Sequence, residues 1–206
     1  TKIYSLAGLL PKDDVLVRHR PFRSLHPTAS SASLIGGGRI PKPGEITLSH
    51  RGVLFLDEMA EFSTHLLEML RQPMEDQQIT VSRVHGSVRF PAQFILCGAM
   101  NPCPCGFYNV PNAKKPCQCL PSVVMRYQSK ISAPLLDRMD LFCSVSPVEY
   151  QAMQSDDHLE SSDQVISRVQ MARDRQTKRF EGRSIRVNSE MSPKDIKEIC
   201  PQTPEI

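Results

Sequence analysis

Apolar residues occur along this chain in three short continuous runs: Val53-Leu54-Phe55-Leu56, Phe94-Ile95-Leu96-Cys97-Gly98-Ala99 and Leu141-Phe142-Cys143-Ser144-Val145. Such runs predict strands buried on both faces, as in a parallel sheet. Ile79-Thr80-Val81-Ser82 and Ser87-Val88-Arg89-Phe90 alternate instead, with His85-Gly86 between them, and predict a β-hairpin. Helical spacing follows Ser63, an N-cap ahead of Leu66, Leu67 and Leu70, with Pro73 at the far end. It recurs over residues 122–131, where Val124, Tyr127 and Ile131 share a face, and after Ser132, with Pro134 in the first turn. Beyond Pro147 the pattern is helical only. Ser161-x-x-Gln164 is a capping box ahead of Val165, Val169 and Ala172, and Ser192-Pro193-Lys194-Asp195 opens a last helix. Strands alternating with helices predict an α/β domain over residues 1–150, followed by a helical segment over 151–206.

Residues 18–50 break this rhythm. Pro21, Pro27, Pro41 and Pro43 forbid a long helix, Gly36-Gly37-Gly38 is a breaker, and only residues 29–35 suit a short helix. The stretch reads as a packed insertion, not a linker, because its scattered apolar residues suggest packing.

Composition narrows the class. The 206 residues suit one elaborated domain, or one domain and part of a second, and 40% hydrophobic with 23% charged residues excludes a disordered chain. No apolar run approaches the ~20 residues of a membrane span, and no secretory signal is visible, so a cytoplasmic protein is expected. Thr1 in place of Met, and the unfinished look of residues 203–206, suggest a piece of a longer chain. The net charge of +3 does not by itself argue for nucleic acid. Arg168, Arg173, Arg175, Lys178, Arg179 and Arg183 read first as a solvated helix face, because Asp174 and Glu181 interrupt them.

Chemistry concentrates at four places. Asp57-Glu58 follows an apolar run. At the carboxyl end of a buried strand, an Asp can hold Mg²⁺ and a Glu can polarise water for attack on a γ-phosphate; the alternative is a strand leading into a capped helix. Asn101 lies just past the next run and can orient a lytic water, or simply form a turn before Pro102. Arg138, in Leu135-Leu136-Asp137-Arg138-Met139-Asp140, is either an arginine finger for a neighbouring subunit or a surface ion pair with Asp137 or Asp140. Finally, four of seven cysteines form two C-x-C pairs, Cys103/Cys105 and Cys117/Cys119. Four thiolates suit tetrahedral Zn²⁺ in a structural role; disulfides and a metal-free loop are the other readings.

In this order, these pieces resemble the AAA+ ATPase core. The chain is most similar to the magnesium-chelatase ATPase-subunit family in its bacterial ComM-like branch. The strings that carry the resemblance are Arg20-Pro21-Phe22-Arg23, Leu34-Ile35-Gly36-Gly37-Gly38, His50-Arg51-Gly52 into Asp57-Glu58, Leu70-Arg71-Gln72-Pro73-Met74-Glu75-Asp76, Met100-Asn101-Pro102-Cys103-Pro104-Cys105-Gly106 and Pro134 to Arg138. They span about residues 3–180. The resemblance implies Asp57 and Glu58 as Walker B, Asn101 as sensor 1 and Arg138 as the arginine finger, with ATP and Mg²⁺ as cofactors. It also implies residues 18–50 as a helix-2 insert, 79–90 as the hairpin before sensor 1, 102–121 as a Cys-rich knot, and 151–206 as the start of a helical lid.

The resemblance has gaps. The family's Walker A loop, G-x-x-x-x-G-K-[ST], has no counterpart, since no Gly-Lys pair occurs, and its sensor 2 arginine would fall beyond Ile206. Leu25-His26-Pro27 stands where Pro-His-His is expected. The expected function is ATP hydrolysis in a ring, a hexamer by resemblance, that remodels DNA, with Arg83, His85 and Arg89 of the hairpin as candidate phosphate contacts. The 206-residue chain alone would bind ATP weakly. Other readings are the motor subunit of a metal chelatase and a non-catalytic scaffold.

Overall fold

A computed structural model describes residues 1–10, 16–38, 41–83, 86–111, 115–145 and 160–200, with the side chain of Arg83 excepted. The chain divides into two compact units, Thr1–Pro147 and Val148–Ile206. The described strands of the first unit are β1 (Phe22–Leu25), β2 (Gly36–Gly37), β3 (Lys42–Pro43), β4 (Val53–Leu56), β5 (Gln78–Arg83), β6 (Gly86–Pro91) and β7 (Ile95–Gly98). Its helices are α1 (Lys2–Ala7), α2 (Ser31–Ile35), α3 (Glu45–Leu48), α4 (Thr64–Glu68), α5 (Arg71–Asp76), α6 (Pro121–Gln128) and α7 (Ala133–Leu136).

The centre is a parallel sheet in the order β1-β4-β7. Leu25 pairs with Leu56, and Leu56 with Gly98, so all three strands end at one edge. Side chains alternate between the two faces of such a sheet. Leu25, Leu54 and Leu56 face a core that contains Leu34, Ile46, Met59, Phe62, Leu67, Leu70 and Leu135. The chain therefore has an α/β fold of the kind expected, with a parallel sheet at its heart. β5 and β6 form the expected antiparallel hairpin, in register from Gln78↔Pro91 to Arg83↔Gly86.

Four local expectations change. Within residues 18–50 lies a sheet strand that the pattern did not announce: β1 runs parallel to β4. Its four-residue alternation is masked in sequence by flanking prolines. In the fold, the carbonyl of Pro21 accepts from Val53 N at 2.8 Å, and Arg23 grips Glu45 through two bonds of 2.6 and 2.8 Å that tie β1 to α3. The glycine triplet is a packed turn, not a loose breaker: β2 pairs with β3, and a Cβ on Gly36 (φ 104°) would lie 2.3 Å from the Lys42 carbonyl.

Second, residues 141–145 form no strand. They pair with no described strand, and Leu141, Phe142 and Val145 are 86%, 69% and 87% exposed. An apolar run without a neighbour to take its N–H and C=O groups has nothing to hold it extended. Third, Pro73 does not end the α4 helix. It sits in the first turn of α5, where its missing N–H costs nothing, and left-handed Gln77 (φ 54°) terminates that helix.

The fourth concerns the second unit, which holds α8 (Ser162–Arg179) and α9 (Pro193–Ile199). Each starts with a capping box, Ser161/Gln164 and Ser192/Asp195. On α8 the apolar positions Val165 and Val169 are 38% and 53% exposed among the described residues.

Candidate active site at the strand ends

β4 is the middle strand and ends on Leu56, so Asp57 and Glu58 are its first residues past the sheet. The chain then turns sharply. Glu58 takes the left-handed conformation (φ 49°), uncommon for a residue with a side chain, and its amide donates to Asp57 Oδ1 at 2.9 Å. The turn is bracketed by β7: Ala99 N donates to the Leu56 carbonyl at 3.0 Å, and Met59 N to the Ala99 carbonyl at 2.8 Å. Gly98 permits this close pass, because a Cβ there would lie 2.6 Å from Met59 Sδ. Asn101 follows Ala99 by two residues. Asp57 and Glu58 thus follow β4 directly, and Asn101 lies three residues past the end of its parallel neighbour β7; all three are exposed. At such strand ends an Asp can hold a divalent cation and a Glu and an Asn can orient water.

Arg138 is held elsewhere. Its Nη1 donates to the Pro134 carbonyl at 2.9 Å and its Nη2 is ion-paired with Glu75 of α5. The partner is neither Asp137 nor Asp140, as local sequence suggested. Glu75 is a residue that sequence reasoning missed, although it lies in one of the family strings.

The four cysteines converge. The Sγ atoms of Cys103, Cys105, Cys117 and Cys119 all lie within 4.8 Å of one another. Cys103–Cys105, Cys103–Cys117 and Cys105–Cys117 are 3.3, 3.7 and 3.5 Å apart. Four sulfurs around Zn²⁺, each ~2.3 Å from it, would stand about 3.8 Å apart. The spacing fits that ion and excludes covalent S–S bonds. The Phe107 backbone amide, then the Cys103 sulfur, pulls the Cys105 thiol down to about 6. The Cys119 amide favours the Cys117 thiolate, but burial and the Cys105 and Cys103 sulfurs outweigh it and push that thiol up to about 12.

Tyr127 of α6 was read from sequence only as a core position. It is buried, and burial, then the charges of Glu61, Cys103 and Glu58, push its phenol above the ordinary value. Lys130 sits 5.6 Å from the Tyr127 ring and 3.8 Å from Glu61.

Comparison with known proteins places the chain. The family model "Magnesium chelatase, subunit ChlI" matches residues 1–153, and "Magnesium chelatase, subunit ChlI C-terminal" matches 159–206. The chain belongs to this AAA+ ATPase family. It is 41% identical over 184 residues to competence protein ComM of Haemophilus influenzae (89% of this chain, 35% of that protein). It is 42% identical over 185 residues to the uncharacterized protein YifB of Escherichia coli (89% and 35%). The magnesium-chelatase 38 kDa subunit of Acidiphilium rubrum aligns over 70 residues at 34% identity (34% and 20%). The ComM-like branch is therefore the right one. The chain spans about a third of the length of the curated relatives it matches.

Proposed function

We propose that this chain is the hydrolytic half of an ATPase site that works in a ring to remodel DNA in the cytoplasm. The observation that supports the reading is the parallel pairing of β4 with β7, which Asp57-Glu58 follow directly and Asn101 follows by three residues. In this reading Asp57 holds Mg²⁺, Glu58 polarises the attacking water, and Asn101 orients it. Arg138 completes a neighbour's site after leaving Glu75, which is why a ring is needed. The phosphate-gripping Walker A string does not occur in these 206 residues, so they bind ATP weakly on their own. Arg89, exposed on the hairpin, is a candidate DNA phosphate contact. Arg83's side chain and His85, named with it above, lie outside the described residues.

The cysteine centre takes Zn²⁺ in a structural role, since four thiolates leave no open coordination position. Extended similarity to competence protein ComM, against a short match to the chelatase subunit, favours the ComM-like reading over metal insertion.

The test is DNA-stimulated ATP hydrolysis by the full-length protein. Glu58→Gln and Arg138→Ala should each lower kcat by about 10³-fold or more. Hydrolysis that survives Glu58→Gln sinks the site assignment, and a few-fold loss in Arg138→Ala leaves that residue a surface ion pair with Glu75.

A further inference from the structure

The cysteine centre and the candidate active site share their connecting chain. Asn101 and Cys103 are separated only by Pro102, whose carbonyl accepts from Gln128 Nε2 at 2.9 Å. On the other side, Cys119 is followed by Leu120 and then α6, with Leu120 as its N-cap. α6 has Val124 and Tyr127 buried, and Lys130 just beyond it lies 5.6 Å from the Tyr127 ring and reaches Glu61, in the turn that follows Glu58, at 3.8 Å. One pair of cysteines thus ends the segment that carries Asn101. The other pair is followed by α6, just past whose end Lys130 is ion-paired with Glu61 at 3.8 Å.

We propose that the four-cysteine centre and α6 form a strut that sets the spacing between Asn101 and Glu58, with Gln128 and Tyr127 as positioning residues, so that metal occupancy governs hydrolysis. The inference rests on the reading of both centres given above. Binding a metal here draws residues 103–105 and 117–119 together and fixes where each chain leaves the knot. Losing it frees both at once. A misplacement of about 1 Å at a reacting group costs on the order of 10²-fold in rate. The effect is on the placement of Asn101 and Glu58, not on nucleotide grip.

The test uses the full-length protein, purified with zinc, then stripped by chelator, and read in two ways. Hydrogen exchange is the first. On zinc loss, the amides of Met59 and Ala99, which bracket Asp57 and Glu58, should exchange about tenfold faster together with residues 103–119, while Leu54 stays protected. Turnover is the second: kcat should fall about 10- to 100-fold with KM for ATP within twofold, and zinc should restore it. Gln128→Ala, which leaves the cysteines untouched, should keep full zinc content yet lower kcat several-fold without moving KM. Exchange confined to residues 103–119, or an unchanged kcat in zinc-free protein, overturns the strut. Glu58→Gln separates the two claims: if that variant keeps turning over, the active-site reading fails; if it is dead while zinc-free protein is fully active, only the strut fails.

Discussion

The two faces of the parallel sheet are made from the same three strands and behave oppositely. On one face, Leu54 and Leu56 are fully buried and Leu25 is 6% exposed. On the other, Phe22 is 65% and Ile95 62% exposed, and Phe22 stacks on Phe55 with ring centroids 6.0 Å apart. Parallel sheets are ordinarily covered on both faces. The first face is closed by this chain's own helices. The second is an apolar surface of the kind that marks a contact site, and the exposed Leu141 and Phe142 add to the unit's uncovered apolar surface. The lesson concerns energy: equal hydrophobicity in sequence stabilises the fold only where a covering element removes it from water.

The sharpest way to break this comparison is a paired truncation in the 206-residue chain. Leu54→Ala should cost about 3–5 kcal/mol in urea unfolding, whereas Ile95→Ala should cost less than about 1 kcal/mol. Equal costs would mean that both faces are packed. Next in size is the seam before β4. A Cβ on Gly52 would lie 1.9 Å from the Pro21 carbonyl, so Gly52→Ala should push β1 off β4 and destabilise by about 2–3 kcal/mol, seen as a lower urea midpoint. A midpoint unchanged by that substitution would deny the close approach.

The smallest effect is a pH dependence. Burial, then the charge on Arg51, holds the His50 imidazole below its ordinary 6.5, and its Nδ1 accepts from Gln93 N at 3.2 Å, a bond available to the neutral ring. The folded chain thus binds the proton less readily than the unfolded one. The His50 contribution is complete above about pH 6.5 and shrinks as pH falls through the lower folded value. Unfolding at pH 7.5 and pH 5 should show a loss of about 1 kcal/mol or less at low pH, removed in His50→Gln.

Much of the site was legible in the sequence. An apolar run ending in Asp57-Glu58, a second ending near Asn101 and two C-x-C pairs could be read directly, and the parallel pairing of β4 with β7 and the converging sulfurs answer to those patterns. The partner of Arg138 was not legible. Asp137 and Asp140 are near in sequence, but Glu75 reaches it from α5, a choice made by packing between distant segments.

The strands draw the same line. Residues 53–56, 95–98 and 141–145 are alike as apolar runs, yet only the first two became strands, while Pro-flanked Phe22–Leu25 became one unannounced. Sequence alone determined the local chemistry: where apolar runs stop, where caps and turns lie, and which side chains could ligate or polarise. The tertiary structure decided which runs became strands and which face of the sheet was covered. A β-strand's hydrogen bonds and its buried area both belong to its neighbours, and no residue carries its neighbour with it.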